Sequence, residues 1–171
     1  MDEIDSTLTV RVRRASIGDR AEWLRLRLAV WPDSAEVHRR ELAAYFAEPG
    51  GRWATFVVER PEGGLGGFLE VRLRGFAEGC VTSPVGYLEG MHLDPDYRDR
   101  SVIRALVLAA EEWARGVGCR EMASACDIED EHSYRMHRAF GYDEVDRIIC
   151  FRKALVSEVP TGRLSRAGKR A

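Results

Sequence analysis

A glutamate, a cluster of arginines and a histidine are the side chains whose placement could serve proton transfer beside a bound anion. The run Glu89-Gly90-Met91-His92-Leu93-Asp94-Pro95-Asp96-Tyr97-Arg98-Asp99-Arg100-Ser101-Val102-Ile103-Arg104 reads as a strand, a basic turn and the start of a helix. A turn that opens a helix aims several backbone N–H groups and the positive end of the helix dipole at one spot, where a diphosphate is the natural guest. Arg98, Arg100 and Arg104 can add side-chain charge there. A solvated basic turn opening a surface helix accounts for the arginines equally well. Glu89 stands between Tyr87-Leu88 and Gly90-Met91; if buried it needs a partner, and a cationic substrate or a structural arginine would supply one. Strand alternation puts Glu89 on one face with Tyr87 and Met91. His137 falls on an amphipathic helical pattern, where proton transfer and plain packing are both open.

The elements that must position these groups follow from hydrophobic periodicity and from Pro and Gly punctuation. Residues 8–13 alternate as a half-buried strand. A helix follows Gly18-Asp19 and ends where Pro32 forbids continuation, and a second runs from an N-cap at Asp33 to Pro49-Gly50-Gly51. Residues 53–59 and 66–74 flank Pro61-Glu62-Gly63-Gly64 as a hairpin, and 85–93 is a further strand. A helix is expected over 103–117, a strand over 119–126, a helix over 130–140 and a last strand over 145–151. The order βααβββαβαβ implies an α/β (mixed α+β) fold, a central mixed, mostly antiparallel sheet flanked by helices on both faces. Residues 1–155 form one domain; 156–171, basic and without periodicity, are expected to be a disordered tail.

A chain of 171 residues suits a single hydrophobic core, and its 45% apolar and 32% charged residues are those of a globular domain. No apolar run would span a bilayer and the first residues are acidic, so a cytoplasmic location without membrane association is expected. Cys80, Cys119, Cys126 and Cys150 lack metal-ligand spacing and read as buried thiols, so no metal is expected. Beyond residue 156, Arg163, Arg166, Lys169 and Arg170 stand against Glu158, a net of +3 that leaves −5 for the rest of a chain whose total is −2. An acidic body suits a small cationic amine, and surface solubility accounts for the same charge. The short basic tail has no aromatic residue for stacking, which argues against a nucleic-acid partner.

The strand, basic turn and helix resemble the acetyl-CoA motif of the GNAT N-acetyltransferases, in which an R/Q-x-x-G-x-G/A turn leads into a helix. Asp130-x-x-Ser133-x-x-x-His137-x-x-x-Gly141-Tyr142 is similar to the second half of that motif. Four further blocks, 28–32, 83–90, 118–124 and 146–153, resemble one group within it, the aminoglycoside 6'-N-acetyltransferases. The resemblance implies acetyl-CoA as co-substrate and direct attack by an amine in a ternary complex. Glu89 would be the base and His137 the acid beside the leaving thiolate. The amides of Met91 and Leu93 would hold the pantetheine arm and polarise the thioester oxygen, while Arg98, Arg100, Ser101, Val102, Ile103, Arg104 and Asp130 would bind the rest of the coenzyme. Trp31, Tyr87, Glu89, Asp127 and Asp146 would line the acceptor site, and a homodimer is implied. N-acetylation of another small amine or a peptide, or a domain with impaired acetyl-CoA binding, are the alternatives.

Three departures from the family pattern matter. Ser101 stands where the family has Gly, and Ile103 where it has Gly or Ala, so branched bulk beside the phosphate turn is expected to weaken acetyl-CoA binding. Ala125 replaces an acceptor-binding Asp, and Asp127 could substitute only by reorienting the strand end.

Overall fold

The structure, a computed structural model, describes residues 10–155 apart from 33 and 49. The expected N-cap at Asp33, the first residues of the first strand and the tail from 156 lie outside the described residues. The strands are β1 (Val12–Arg14), β2 (Trp53–Glu59), β3 (Leu65–Arg74), β4 (Val85–Leu93) and β5 (Met122–Ser124). The helices are α1 (Arg20–Val30), α2 (Ala35–Ala47), α3 (Arg100–Gly116) and α4 (Glu131–Ala139). The sheet runs β1-β2-β3-β4-β5; the first three pairings are antiparallel, and β4 with β5 is parallel.

Side chains alternate across the sheet, and the two faces receive different helices. Val57 and Phe68 face α1 and α2, where they pack with Trp23, Leu26, Leu42 and Leu65. Ala54, Phe56, Val58, Leu69 and Val71 face α3, whose Val102, Leu106, Val107 and Ala110 recur at helical spacing and cover them. Each buried Val or Leu on that seam contributes roughly 1.5–3 kcal/mol relative to exposure. α3 thereby fixes its own N-terminus near the end of β4.

Two expectations are corrected. α3 begins at Arg100 rather than at 103, because Asp99 caps it: one carboxylate oxygen accepts from the Ser101 amide at 2.7 Å. The strand expected over 145–151 does not form; residues 142–154 carry no regular structure. β5 is only three residues long, and Val145 lies over Gly79, which sits at φ +73° and whose missing Cβ would fall 2.6 Å from the valine. Val145, Ile148, Ile149 and Phe151 are left exposed. The cysteines differ as well: Cys119 is buried, Cys80 and Cys126 half-buried and Cys150 exposed, since Cys150 falls in the segment without regular structure.

Beneath α1, Glu70 is fully buried on β3. Trp23 donates its indole N–H to it at 2.9 Å and the Arg27 guanidinium lies 3.2 Å away. Arg27, itself buried, also pairs with Glu41 and rests over the Trp31 and Trp53 rings. Burial pushes the Glu70 carboxyl up to about 7, with Arg27 opposing. Because its folded value exceeds the ordinary 4.5, the stability Glu70 contributes is complete below about pH 4.5 and is lost as pH rises through about 7. In urea melts, wild type should therefore lose on the order of 3 kcal/mol against Glu70→Gln between about pH 4.5 and pH 8. A pH-independent difference would contradict this.

Candidate active site

The site grows from one irregularity in β4. Leu88 pairs with Val71 and Gly90 with Glu70, so Glu89 is the extra residue of a β-bulge with no partner on β3. An inserted residue reverses the alternation beyond it. Tyr87, paired with Arg72, stays on the face that α1 and α2 cover elsewhere, whereas Leu88 and Met91 face α3. The expectation that Tyr87 and Met91 share a face is therefore corrected; regular alternation cannot foresee a bulge.

On the α1–α2 face, Glu89, Tyr87 and Trp31 come together. Trp31 ends α1, and its indole lies so close over Gly90 that a Cβ there would fall 2.4 Å from a ring carbon. Phe68 and His38 flank that indole, with ring centroids 6.1 and 6.4 Å away, so it is a wall of fixed position. Arg74, the last residue of β3, donates to both Glu89 oxygens, at 2.8 and 2.9 Å from Nη2 and 3.1 Å from Nε. The same guanidinium lies 3.3 Å above the centroid of the Tyr87 ring. Arg72 lies 4.0 Å over the Trp53 ring on this face.

On the other side of the bulge, β4 loses its neighbour. β5 pairs only with Gly86, Tyr87 and Leu88, so the stretch from Glu89 to Leu93 has no β5 backbone alongside it. That is an open strand edge leading to the N-terminus of α3, and backbone amides on such an edge can receive an extended ligand. Leu93 is buried and Met91 packs on the α3 core, so their side chains are structural. Arg98 donates from Nε to the Leu93 carbonyl at 3.1 Å, bracing the end of the strand. Arg100 and Arg104 are exposed.

The helix start already holds an anion, and it is the chain's own. Asp99 accepts from the Ser101 hydroxyl as well as from its amide. The Ser101 hydroxyl, helped by the amides of Ser101, Val102 and Arg100, holds its carboxyl below the ordinary range. The amides at this helix start thus fit an anion, and an external anion seated on them would have to displace the Asp99 carboxylate. The Ile103 side chain is half-buried and packs against the core beneath α3, and its amide donates to the Asp99 carbonyl at 3.1 Å.

Around a neighbouring cavity of about 820 Å³ lie Tyr87, Asp127, His137 and Asp146, together with β5 and α4. His137 donates from Nδ1 to the Ser133 carbonyl at 2.7 Å, leaving Nε2 to exchange a proton, and its ring meets Tyr142 edge-on. Asp130 caps α4, accepting from the Ser133 amide at 2.9 Å. Asp127 accepts from the Glu129 amide, and Asp146 is exposed with its carboxylate on the Arg147 amide. Two residues escaped sequence reasoning. Asp99 was legible as a cap two positions before Ser101, whereas the Arg74 partnership depends on the bulge and carries no local signal.

A sheet split beside a bulged carboxylate, with a helix start at the mouth of the split that already holds a carboxylate, is the setting in which the comparisons with known proteins place an acyltransferase. The chain belongs to the acetyltransferase (GNAT) family, whose model matches residues 20–142. It is 41% identical over 84% of its length to an aminoglycoside N(6')-acetyltransferase type 1 of Stenotrophomonas maltophilia, covering 93% of that protein. With one from Klebsiella aerogenes the identity is 39%, over 84% of this chain and 96% of the relative. Among solved structures it is similar to AAC(6')-Iy in complex with a bisubstrate analogue of CoA and acetylneamine, with TM-score 0.79 and 31% identity over 85% of this chain and 98% of that one. Aminoglycoside 6'-N-acetyltransferase AAC(6')-Ih from Acinetobacter baumannii also gives TM-score 0.79, with 29% identity over 86% of this chain and 99% of that one.

Because Asp99 competes for the helix amides, Asp99→Asn, which keeps a capping side chain without the charge, should tighten acetyl-CoA binding several-fold in titration calorimetry. Wild-type affinity should be weaker than low-micromolar, and unchanged or weaker binding by the variant would contradict the competition.

Proposed function

We propose that this chain transfers an acetyl group from acetyl-CoA to the 6'-amine of an aminoglycoside, by direct attack in a ternary complex. The observation that carries this reading is Glu89, held at a bulge on the open face beside Trp31 and Tyr87, with the unpaired edge of β4 directly behind it. The relatives' names supply the acceptor. An acceptor arriving as an ammonium must lose a proton before its nitrogen can attack, and Glu89 is the carboxylate placed to take it. Acetyl-CoA supplies the activated acyl group.

The amides of Met91 and Leu93 run along the open edge, where they would hold the pantetheine arm and polarise the thioester oxygen, a task that depends on backbone placement. Those of Arg100, Ser101 and Val102, with Arg98, Arg104, Ile103 and the α4 cap at Asp130, would hold the rest of the coenzyme. His137, when protonated at both ring nitrogens, would give its Nε2 proton to the departing sulfur while Nδ1–H stays on the Ser133 carbonyl, and solvent would then reprotonate Nε2. Trp31 offers a flat face to a sugar ring, and Tyr87, Asp127 and Asp146 complete the acceptor side.

Acetylation of that amine would remove a positive charge from a cationic antibiotic and so confer resistance. A cytoplasmic location suits the chemistry; among the described residues no helix is long and apolar enough to cross a membrane. A homodimer is part of this reading, supported by the exposed Val145, Ile148, Ile149 and Phe151 beside the short β5. A monomer in sedimentation velocity would contradict it.

The test is thiol release from acetyl-CoA with kanamycin or tobramycin, with the acetylated position read by mass spectrometry. Wild type should turn over both, and Glu89→Gln should lose about 10²–10⁴-fold in kcat/KM. Turnover of polyamines alone would move the assignment to another small amine. Absent turnover together with absent acetyl-CoA binding would overturn the enzymatic reading.

A further inference from the structure

The pairing of Glu89 with Arg74 concerns how the acceptor site chooses its guest, and it rests on the reaction proposed above. We propose that Arg74 is a specificity-determining residue: its guanidinium occupies the seat of the acceptor's cation, and an acceptor enters by displacing it.

Three observations meet at this residue. Arg74 holds both oxygens of Glu89 in a forked arrangement, at 2.8 and 2.9 Å from Nη2 and 3.1 Å from Nε. It simultaneously covers the face of Tyr87, 3.3 Å above the ring centroid. One side chain therefore engages both the carboxylate and the aromatic face through which a cationic amine would be recognised. A planar guanidinium satisfies the carboxylate on one edge and the ring on its flat side, the pair of contacts an ammonium-bearing sugar would make.

The third observation concerns the cost of exchange. The Arg74 side chain is 41% exposed, and it ends β3 just before Gly75, around which a Cβ would meet nothing within 4 Å. A half-exposed ion pair contributes little net stability, because its geometry fixes a long side chain and water competes for both charges. Arg74 can swing into solvent as a cation arrives, and Glu89 then passes from one cation to another without being left bare. A neutral guest offers no such replacement and would leave Glu89 uncompensated if it displaced the arginine. The pairing thus selects for charge, in contrast to the buried Arg27, whose guanidinium is enclosed with Glu70 and Glu41.

Kanamycin binding to wild type, Arg74→Gln and Arg74→Lys is measured by titration calorimetry, and the Arg74 Nε–H resonance of the wild type is followed by nitrogen-edited NMR. Removal of the internal competitor in Arg74→Gln should lower the kanamycin Kd by about fivefold, the scale of a half-exposed ion pair, while Arg74→Lys stays within about twofold of wild type. At saturation the Nε–H resonance should move to its position in free arginine. Unchanged, weaker or absent binding in Arg74→Gln, or an unmoved resonance at saturation, makes the arginine a fixed part of the site and overturns the proposal. Wild-type turnover of kanamycin reports separately on the parent reaction: tighter binding by Arg74→Gln without turnover in any variant sinks that reaction and leaves the cation seat standing. Turnover with no gain in binding does the reverse.

Discussion

One extra residue in β4 makes two different surfaces out of one strand. Before Glu89 the strand is held on both sides, by β3 and by the parallel β5; after it, β3 remains and β5 has ended. The bulge also turns the register over, so that Tyr87 and Glu89 serve the open face under Trp31 while Met91 packs on the α3 core. Without that insertion Glu89 would have a β3 partner and the residues beyond it would exchange faces. The acceptor face and the coenzyme edge proposed here would then not lie on opposite sides of the same strand.

The structure compensates each of its functional charges internally. Arg74 satisfies Glu89, the α3 amides and the Ser101 hydroxyl satisfy Asp99, and Trp23 with Arg27 satisfies Glu70. These differ in depth, and depth decides what each can do. Glu70 is closed off, so removal of Arg27 would leave a buried carboxylate uncompensated and its role is in stability. Glu89 and Asp99 lie near solvent, where an ion pair or a cap is exchanged for a ligand at small cost. An enzyme that binds one cationic and one anionic substrate can hold both sites in this way, each occupied by its own opposite charge.

Much of this was legible in the chain. The element order up to α4, the mixed sheet, the strand–turn–helix from Glu89 to Arg104 and the amphipathic face of α3 all follow from periodicity and punctuation. What escaped was non-local. The bulge is a matter of register between β3 and β4, and nothing in Leu88-Glu89-Gly90 alone announces it. The Arg74 pair depends on that register. The packing of Ile103 on the core was hidden for a different reason: it depends on the phase of α3, which the Asp99 cap sets by making Arg100 the first helical residue. The segment 145–151 has the composition of a strand, but β5 is only three residues long and the segment takes no strand conformation.

The division of β4 into an acceptor face and a coenzyme edge is most directly examined through its own amides. Hydrogen–deuterium exchange resolved to single residues, with and without saturating acetyl-CoA, reads whether Met91 and Leu93 acquire partners. Both amides should become protected when the coenzyme binds, while those of Tyr87 and Leu88, alongside β5, change little. Saturation of the protein by acetyl-CoA with no change at Met91 or Leu93 would show that the open edge does not receive it, and the division would be wrong.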